Sequence, residues 1–546
     1  MTTTALQMTK STWNRTTRTF FTLAACVLLA ASIARAAGPA VIVSVKGFDE
    51  LLADVTYLGD VLNQPGFAAL PQQMINQITQ GQGLKGLDGS KPFGVYITLS
   101  PQGQPQDFVA FFPVKDQKEF AATLEKLAPN PEKQGDLTQY QFPSSPNPIM
   151  AKAVAKHFFF APTAESLKET ADPAKLVTVP ADISIEIDLT QIPEGLKELF
   201  LSQTEAAAAA NAQNNPSRSE AERQGEEFGR AMSLAGMRRL TMDGARMTLS
   251  LDINSKAKAT VLDLAFAAKS GTPLASACAD YAKSQSPFAG LLSKQTVGSF
   301  VLSVPLNADI VKFLKQIVDE GEKSELAKLG AEPAKAPQAA ILKKLTEVAR
   351  STLQSGRIDA AVFVNAVEGK LQLVAASKVA KGDQIQQTFE DLVKNAPEAK
   401  EHVKLNVAQI GKTKVNAISP PPNADSEKYF GPGPVHAAFS ENTAAVVVGG
   451  DSLGALKGVL DKPVGSTPTA RPPISIRVGI SKILSLVNDL NPSAIPPAVF
   501  EQSKTALEKG YDQVGLEISG QPQALKFRLE VQEGVMRLAA IAATQN

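Results

Sequence analysis

Four segments of this chain recur in the same order further along it, and that recurrence constrains the fold more than any single motif. "AVIVSVKGFDELLADV" from Ala40 matches "SFVLSVPLNADIVKFL" from Ser299. Each reads as an apolar strand, a short turn and a helix with apolar residues at three- and four-residue spacing. "DFVAFFPVKDQKEFAATLEKLAPN" from Asp107 matches "LQLVAASKVAKGDQIQQTFEDLVKNAPE" from Leu371. Both read as a strand and then an amphipathic helix that Asp116 and Asp383 are placed to cap. "ADISIEIDLTQIPEGLKELF" from Ala181 matches "PPISIRVGISKILSLVNDL" from Pro472. "ARMTLSLDINSKAKATVLDLAFAAK" from Ala245 matches "QVGLEISGQPQALKFRLEVQEG" from Gln513, two hairpins with polar turns at Asn254-Ser255 and Gly520-Gln521. The offsets run from about 260 to 290 residues, a spread that loop insertions accommodate. The chain therefore reads as an internal duplication with halves at 38–295 and 296–546. Short connections favour antiparallel pairing, so the expected class is α+β, with antiparallel sheets covered on one face by helices.

The first 36 residues fall outside this scheme. Arg15 and Arg18 precede the apolar run "FFTLAACVLLAASI", and Ala34-Arg35-Ala36 fits a small-x-small cleavage site before Ala37. Residues 1–36 are expected to be a signal peptide, which makes the protein exported, periplasmic or secreted. "LAAC", Leu23 to Cys26, also fits a lipobox, so a lipoprotein anchored at Cys26 is the alternative. Against it, the apolar run continues past the cysteine. No later stretch has 18 consecutive apolar residues, so no transmembrane segment is expected after the leader. Beyond it the one cysteine is Cys278, which cannot form an internal disulfide. Lys plus Arg is 55 against 54 for Asp plus Glu, and that balance argues against nucleic acid or an anionic membrane surface as the main partner. Repeated strand–helix–hairpin units behind a signal peptide resemble the layout of many uncharacterised bacterial envelope proteins. The resemblance implies a bacterial exported protein and no particular activity.

Several motifs invite a catalytic reading. Gly450-Asp451-Ser452-Leu453-Gly454 follows an apolar strand and precedes a helix, the context of a nucleophile elbow. The corresponding stretch of the first half, "AKHFFFAPTAESLKET" from Ala155, keeps the strand and the helix start but loses the elbow. What both share is a small polar residue able to cap a helix, Thr163 in one and Asp451 or Ser452 in the other. The three histidines, His157, His402 and His436, all precede Ser452, whereas elbow hydrolases place theirs after the serine. The motif is expected to be a helix cap. "GQGLKG", Gly81 to Gly86, has a helix before it and a strand after it, the reverse of a dinucleotide fingerprint. Ser255-Lys256-Ala257-Lys258 sits at a hairpin tip, not on the helix that a serine–lysine pair requires. The histidines lie far apart with no second ligand at metal spacing. The repeated α+β layout is also similar to that of pitrilysin-type metallopeptidases, but their H-x-x-E-H motif is absent. Cys278, among alanines, reads as a small buried residue. No catalytic residue, cofactor or metal is therefore expected.

What remains is binding. The loops "FPSSPNPI" from Phe142 and "SPPPNADSEKYFGPGP" from Ser419 fall at corresponding places in the two halves. Loops on a rigid scaffold commonly carry binding groups, which makes Pro146, Pro148, Pro421, Tyr429 and Phe430 the candidate partner contacts. Hairpin connections stiffened by proline would look the same. The expected function is a non-catalytic binding or structural protein whose partner is an unknown envelope protein or an apolar ligand. The alternative is a hydrolase-like enzyme whose site assembles only in three dimensions.

Overall fold

Strands form where β-branched and aromatic residues alternate with smaller or polar ones, and helices where apolar residues recur at three and four. In the computed structural model the described residues run from 38 to 544, except 80, 82, 144, 178, 214–219, 294, 331–335, 396–398, 422–423, 462–471 and 509. The expected signal peptide and Cys26 lie outside them. The chain divides into two compact units, one of residues 1–255 with 262–276 and one of 256–261 with 277–546.

Through the first unit the elements are β1 (Val41–Val45), α1 (Phe48–Val61), α2 (Pro65–Ile78), β2 (Phe93–Leu99), β3 (Pro105–Pro113), α3 (Gln117–Leu127), β4 (Glu132–Gln134), β5 (Leu137–Tyr140), β6 (Ile149–Val154) and β7 (His157–Ala161). A 3-10 turn (Glu165–Leu167), α4 (Pro173–Leu176), β8 (Ile183–Asp188), α5 (Glu194–Gln213), α6 (Glu220–Met242) and β9 (Gly244–Asn254) follow, and of β10 (Ala259–Ala268) and α7 (Pro273–Ala282) residues 262–268 and 273–276 belong to this unit. Its sheet runs β4-β5-β6-β7-β3-β2-β1-β8-β9, every neighbour antiparallel.

The second unit continues with β11 (Thr296–Pro305), α8 (Ala308–Leu329), α9 (Ala336–Gln354), β12 (Arg357–Val367), β13 (Lys370–Lys378), α10 (Gly382–Asn395), α11 (Ala399–His402), β14 (Val403–Ile410), β15 (Thr413–Ile418), α12 (Ala424–Phe430), β16 (Val435–Ser440) and β17 (Thr443–Val448). It ends with α13 (Ser452–Asp461), β18 (Ile474–Gly479), α14 (Ile480–Leu490), α15 (Pro497–Leu507), β19 (Gln513–Gln521), β20 (Ala524–Gln532) and α16 (Glu533–Thr544). Its sheet runs β14-β15-β16-β17-β13-β12-β11-β18-β19-β20, again antiparallel throughout. The mixed α+β class is as expected.

Register can be followed across each sheet. One transverse row reads Leu137, Lys152, Phe159, Phe111, Gly94, Ser44, Ser184, Ser250 in the first unit. The row on the corresponding strands of the second reads Val415, Ala438, Ala445, Ala376, Ala361, Val301, Ser475, Glu517.

The expectation that helices cover one face is corrected: they pack on both. Phe159, with Phe111 and Leu167, belongs to one core cluster, whereas its neighbour Phe158 joins Phe120 and Leu124 of α3 in another. Adjacent strand residues point to opposite faces, so the 3-10 turn and α3 lie on opposite sides. In the second unit Val415 packs with Leu456 and Val459 of α13, while Asn416 beside it receives Gln386 Nε2 of α10 and donates to Gln386 Oε1 at 2.8 Å. Both sheets need this because both of their faces are apolar at these strands.

Caps and close approaches position the helices. Asp116 accepts the N–H groups of Lys118 and Glu119 at the start of α3, as expected. Asp383 does not take the equivalent position: it lies within the first turn of α10, which begins at Gly382. Gly86, at φ +83, passes so close to the start of α3 that a Cβ would stand 2.4 Å from the Phe120 nitrogen. Gly86, the last glycine of "GQGLKG", therefore serves close backbone packing at the start of α3. Among the described residues, no helix is long and apolar enough to cross a membrane.

Candidate functional site

The two proline-rich loops each join a pair of neighbouring antiparallel strands, β5 to β6 and β15 to β16. In the first, Pro146 is exposed and Pro148 half-buried. Gln141 Nε2 donates to the Ser145 carbonyl at 2.7 Å, and the Ser145 hydroxyl to the Asn147 carbonyl at 2.6 Å, so the loop is bonded within itself. In the second, Pro421 is exposed, but Tyr429 and Phe430 are half-buried on the last turn of α12. Lys370 Nζ of β13 donates to the Lys428 carbonyl at 2.8 Å and holds that helix end to the sheet. Pro146 and Pro148 belong to one unit, and Pro421, Tyr429 and Phe430 to the other.

The Gly450–Gly454 stretch is a tight strand-to-helix turn. Gly449 and Gly450 have φ of +80° and +55°, and a Cβ on Gly449 would stand 2.2 Å from the Leu371 carbonyl oxygen. Gln372 Nε2 reaches the carbonyls of Gly449 and Asp451 at 3.5 and 3.3 Å. Asp451 Oδ1 accepts the Gly454 N–H at 2.9 Å, which is the expected cap. In the first unit Thr163 plays the same part, accepting the Ser166 N–H at 3.4 Å. The sequence did not disclose where Ser452 points. Its Oγ lies 2.6 Å from His436 Nδ1, and both residues are buried, at 7% and 8% exposed. Burial lowers the His436 pKa, favouring the neutral ring. Chain order had set this histidine aside, yet pairing of β16 with β17 brings it back beside the turn. Cys278 is fully buried on α7, and burial pushes its thiol pKa up, which suits an inert packing residue. His157 is half-buried on β7, between β3 and β6. Among the described residues, no three His, Cys, Asp or Glu side chains are grouped to hold a metal ion.

The two sides of the second unit's sheet differ sharply along β11, β18, β19 and β20. On one side Ser299 and Arg477 face each other, as do Ser475 and Glu517, and Glu517 and Arg528. Arg477 Nη2 lies 2.6 Å from Glu517 Oε1, while its Nε is buried with no hydrogen-bond partner among the described residues. Arg477, Gln513, Glu517, Arg528 and Glu530 line a shallow concavity there. The other side is apolar. Val362, Phe300, Ile476, Leu516 and Leu529 form one continuous row across β12, β11, β18, β19 and β20. Phe300 and Leu516 are 38% and 39% exposed. The first unit has a row of the same kind in Phe108, Ile97, Val41, Ile187 and Met247, with Phe108 52% exposed. A contiguous apolar surface left open to water is what distinguishes a contact surface from scattered exposed side chains. Each strand here alternates like any half-buried strand, so only the assembled sheet reveals the row. No family model, curated protein or solved structure matches this chain.

Proposed function

We propose that this is an exported, non-catalytic binding or structural protein of the bacterial periplasm or cell surface, duplicated into halves at 38–295 and 296–546. Its partner, an envelope protein or an apolar ligand, is held on the apolar side of β11, β18 and β19. The observation that carries this reading is the row Phe300–Ile476–Leu516, whose two outer members are more than a third exposed. The duplication is supported by the shared order of strand neighbours. The loops at Pro146 and Pro421 serve as secondary contacts in this reading.

The test is titration of the protein lacking residues 1–36 with an uncharged apolar dye such as N-phenylnaphthylamine. That chain has no tryptophan, since the only one is Trp13, so dye fluorescence is read without interference. The double variant Phe300→Ser/Leu516→Ser is expected to weaken binding about tenfold or more, because each apolar side chain contributes on the order of 1.5 kcal/mol or more when buried. Equal affinity in both proteins would count against this surface.

A hydrolase-like enzyme is the second reading, favoured by the 2.6 Å contact of Ser452 Oγ with His436 Nδ1. The two readings part on Ser452→Ala. If the pair is structural, this substitution costs about 1–2 kcal/mol by leaving a buried imidazole nitrogen without its partner, and fluorophosphonate labels neither protein. Labelling of the parent protein that disappears in the variant would favour the enzyme.

A further inference from the structure

We propose that His436 and Ser452 form an acid-sensitive clasp that holds the start of α13 on the second unit's sheet and loosens as the surroundings turn acidic. The clasp is a direct contact: Ser452 Oγ, on the first residue of α13, lies 2.6 Å from His436 Nδ1 on β16. Both residues are buried. The helix it fastens belongs to the core, since Leu456 and Val459 of α13 pack with Val415, Ala438 and Val447 of the strands beneath. A neutral imidazole can accept the serine proton at Nδ1, whereas an imidazolium carries N–H on both nitrogens and only donates. Acid therefore takes the acceptor away, turns the hydroxyl proton from the ring, and places a charge where little water reaches it.

The surroundings of the ring oppose that charge. Ala417 of β15 and Val447 of β17 stand on either side of His436 and are apolar. Ser452 begins α13, so the positive end of the helix dipole lies against the ring. In the same row Lys404 of β14, opposite Ala417, adds a like charge, as does Lys370 of β13, which the Lys428 carbonyl holds at 2.8 Å. Asp451, beside Ser452, turns its carboxylate to the Gly454 N–H at 2.9 Å, and Lys457 and Asp461 of α13 are exposed. Burial accordingly holds the His436 pKa below its ordinary value of 6.5. Because the folded ring binds a proton less readily than the opened chain, stability is present above pH 6.5 and is lost as the pH falls below it.

The fold does not require a histidine at such a corner. In the first unit β6 pairs with β5 and β7 as β16 pairs with β15 and β17, and its second residue is Met150, opposite Ala161. Met150 is buried, and the serine in the turn beyond β7, Ser166, meets Thr163 Oγ1 at 2.8 Å instead. One unit closes this corner with a side chain that cannot titrate, and the other with one that can.

Hydrogen exchange of the protein lacking residues 1–36, read by mass spectrometry and corrected for the intrinsic rate, tests the clasp. Between pH 7 and pH 5 the protection of peptides from 452–461 is expected to fall about tenfold, since one proton bound with unequal affinity shifts an equilibrium by at most about tenfold per pH unit. His436→Met repeats the first unit's residue, and His436→Asn keeps a partner for Ser452 that does not titrate. Each is expected to hold protection constant over that range. The other two histidines, His157 and His402, are present in both variants, so the difference reports on His436 alone. Constant protection in the parent protein would overturn the proposal, as would an unchanged fall in either variant. Circular dichroism establishes that a variant is folded, and one folded variant suffices for the comparison. The clasp rests on the pair being structural, which fluorophosphonate labelling tests separately.

Discussion

Arg357→Ala is expected to lower the unfolding free energy by about 3 kcal/mol, the lower end for breaking a buried ion pair, because Arg357 is partly open to water. Asp359 is 4% exposed on β12, directly opposite Ser303 of β11. Arg357 Nε donates to both of its oxygens, at 3.0 and 3.2 Å, and Ser303 Oγ donates to Oδ1. Arg357 Nη2 also donates to the Gln285 carbonyl at 2.9 Å. Removing the guanidinium leaves a carboxylate in the sheet interior with one hydroxyl for company. The triple variant Ser303→Ala/Arg357→Met/Asp359→Leu is expected to recover most of the loss, since an apolar set of similar volume needs no desolvated charge. Urea denaturation of the three proteins checks this. A triple variant no more stable than Arg357→Ala would mean that the network contributes more than its charge balance.

Phe363→Ala is expected to cost about 3–5 kcal/mol. Phe363 is fully buried in the cluster that joins Val301, Val374 and Ala445 to Leu456 of α13. Truncation leaves a cavity bounded by β-branched side chains and a sheet backbone, neither of which can move in to fill it. Phe111→Ala is expected to have the same size of effect in the first unit, where Phe111 is likewise fully buried, among Tyr96, Phe159 and Leu167. A loss below about 1 kcal/mol at either site, by thermal or urea unfolding, would show that the cluster collapses around the gap.

Much of the local structure was legible before any coordinates. The strands and helices read in the quoted segments are present, and Asp116, Thr163 and Asp451 each accept a backbone N–H at the start of the helical turn that follows them. Capping and alternation depend on residues within a few positions of each other, so local pattern suffices. Errors began where a choice depended on distant chain. Asp383 looked like a cap because an aspartate precedes an amphipathic run, but α10 begins one residue earlier at Gly382, whose N–H donates to the Glu441 carbonyl at 2.9 Å. Helices on one face were expected from short connections and the α+β class, which cannot say that Phe158 and Phe159 each meet a packed element.

The sequence by itself determined the α+β class, the order of strands and helices, and the reading of the Gly450–Gly454 stretch as a turn that caps a helix. Those follow from periodicity and backbone chemistry, which act over a few residues. Only the tertiary structure decided the pairing of Ser452 with His436 and the apolar row from Val362 to Leu529. Each of these joins side chains brought together by strand order and register. That arrangement is set by the sum of many weak long-range contacts, and no short stretch of sequence encodes it.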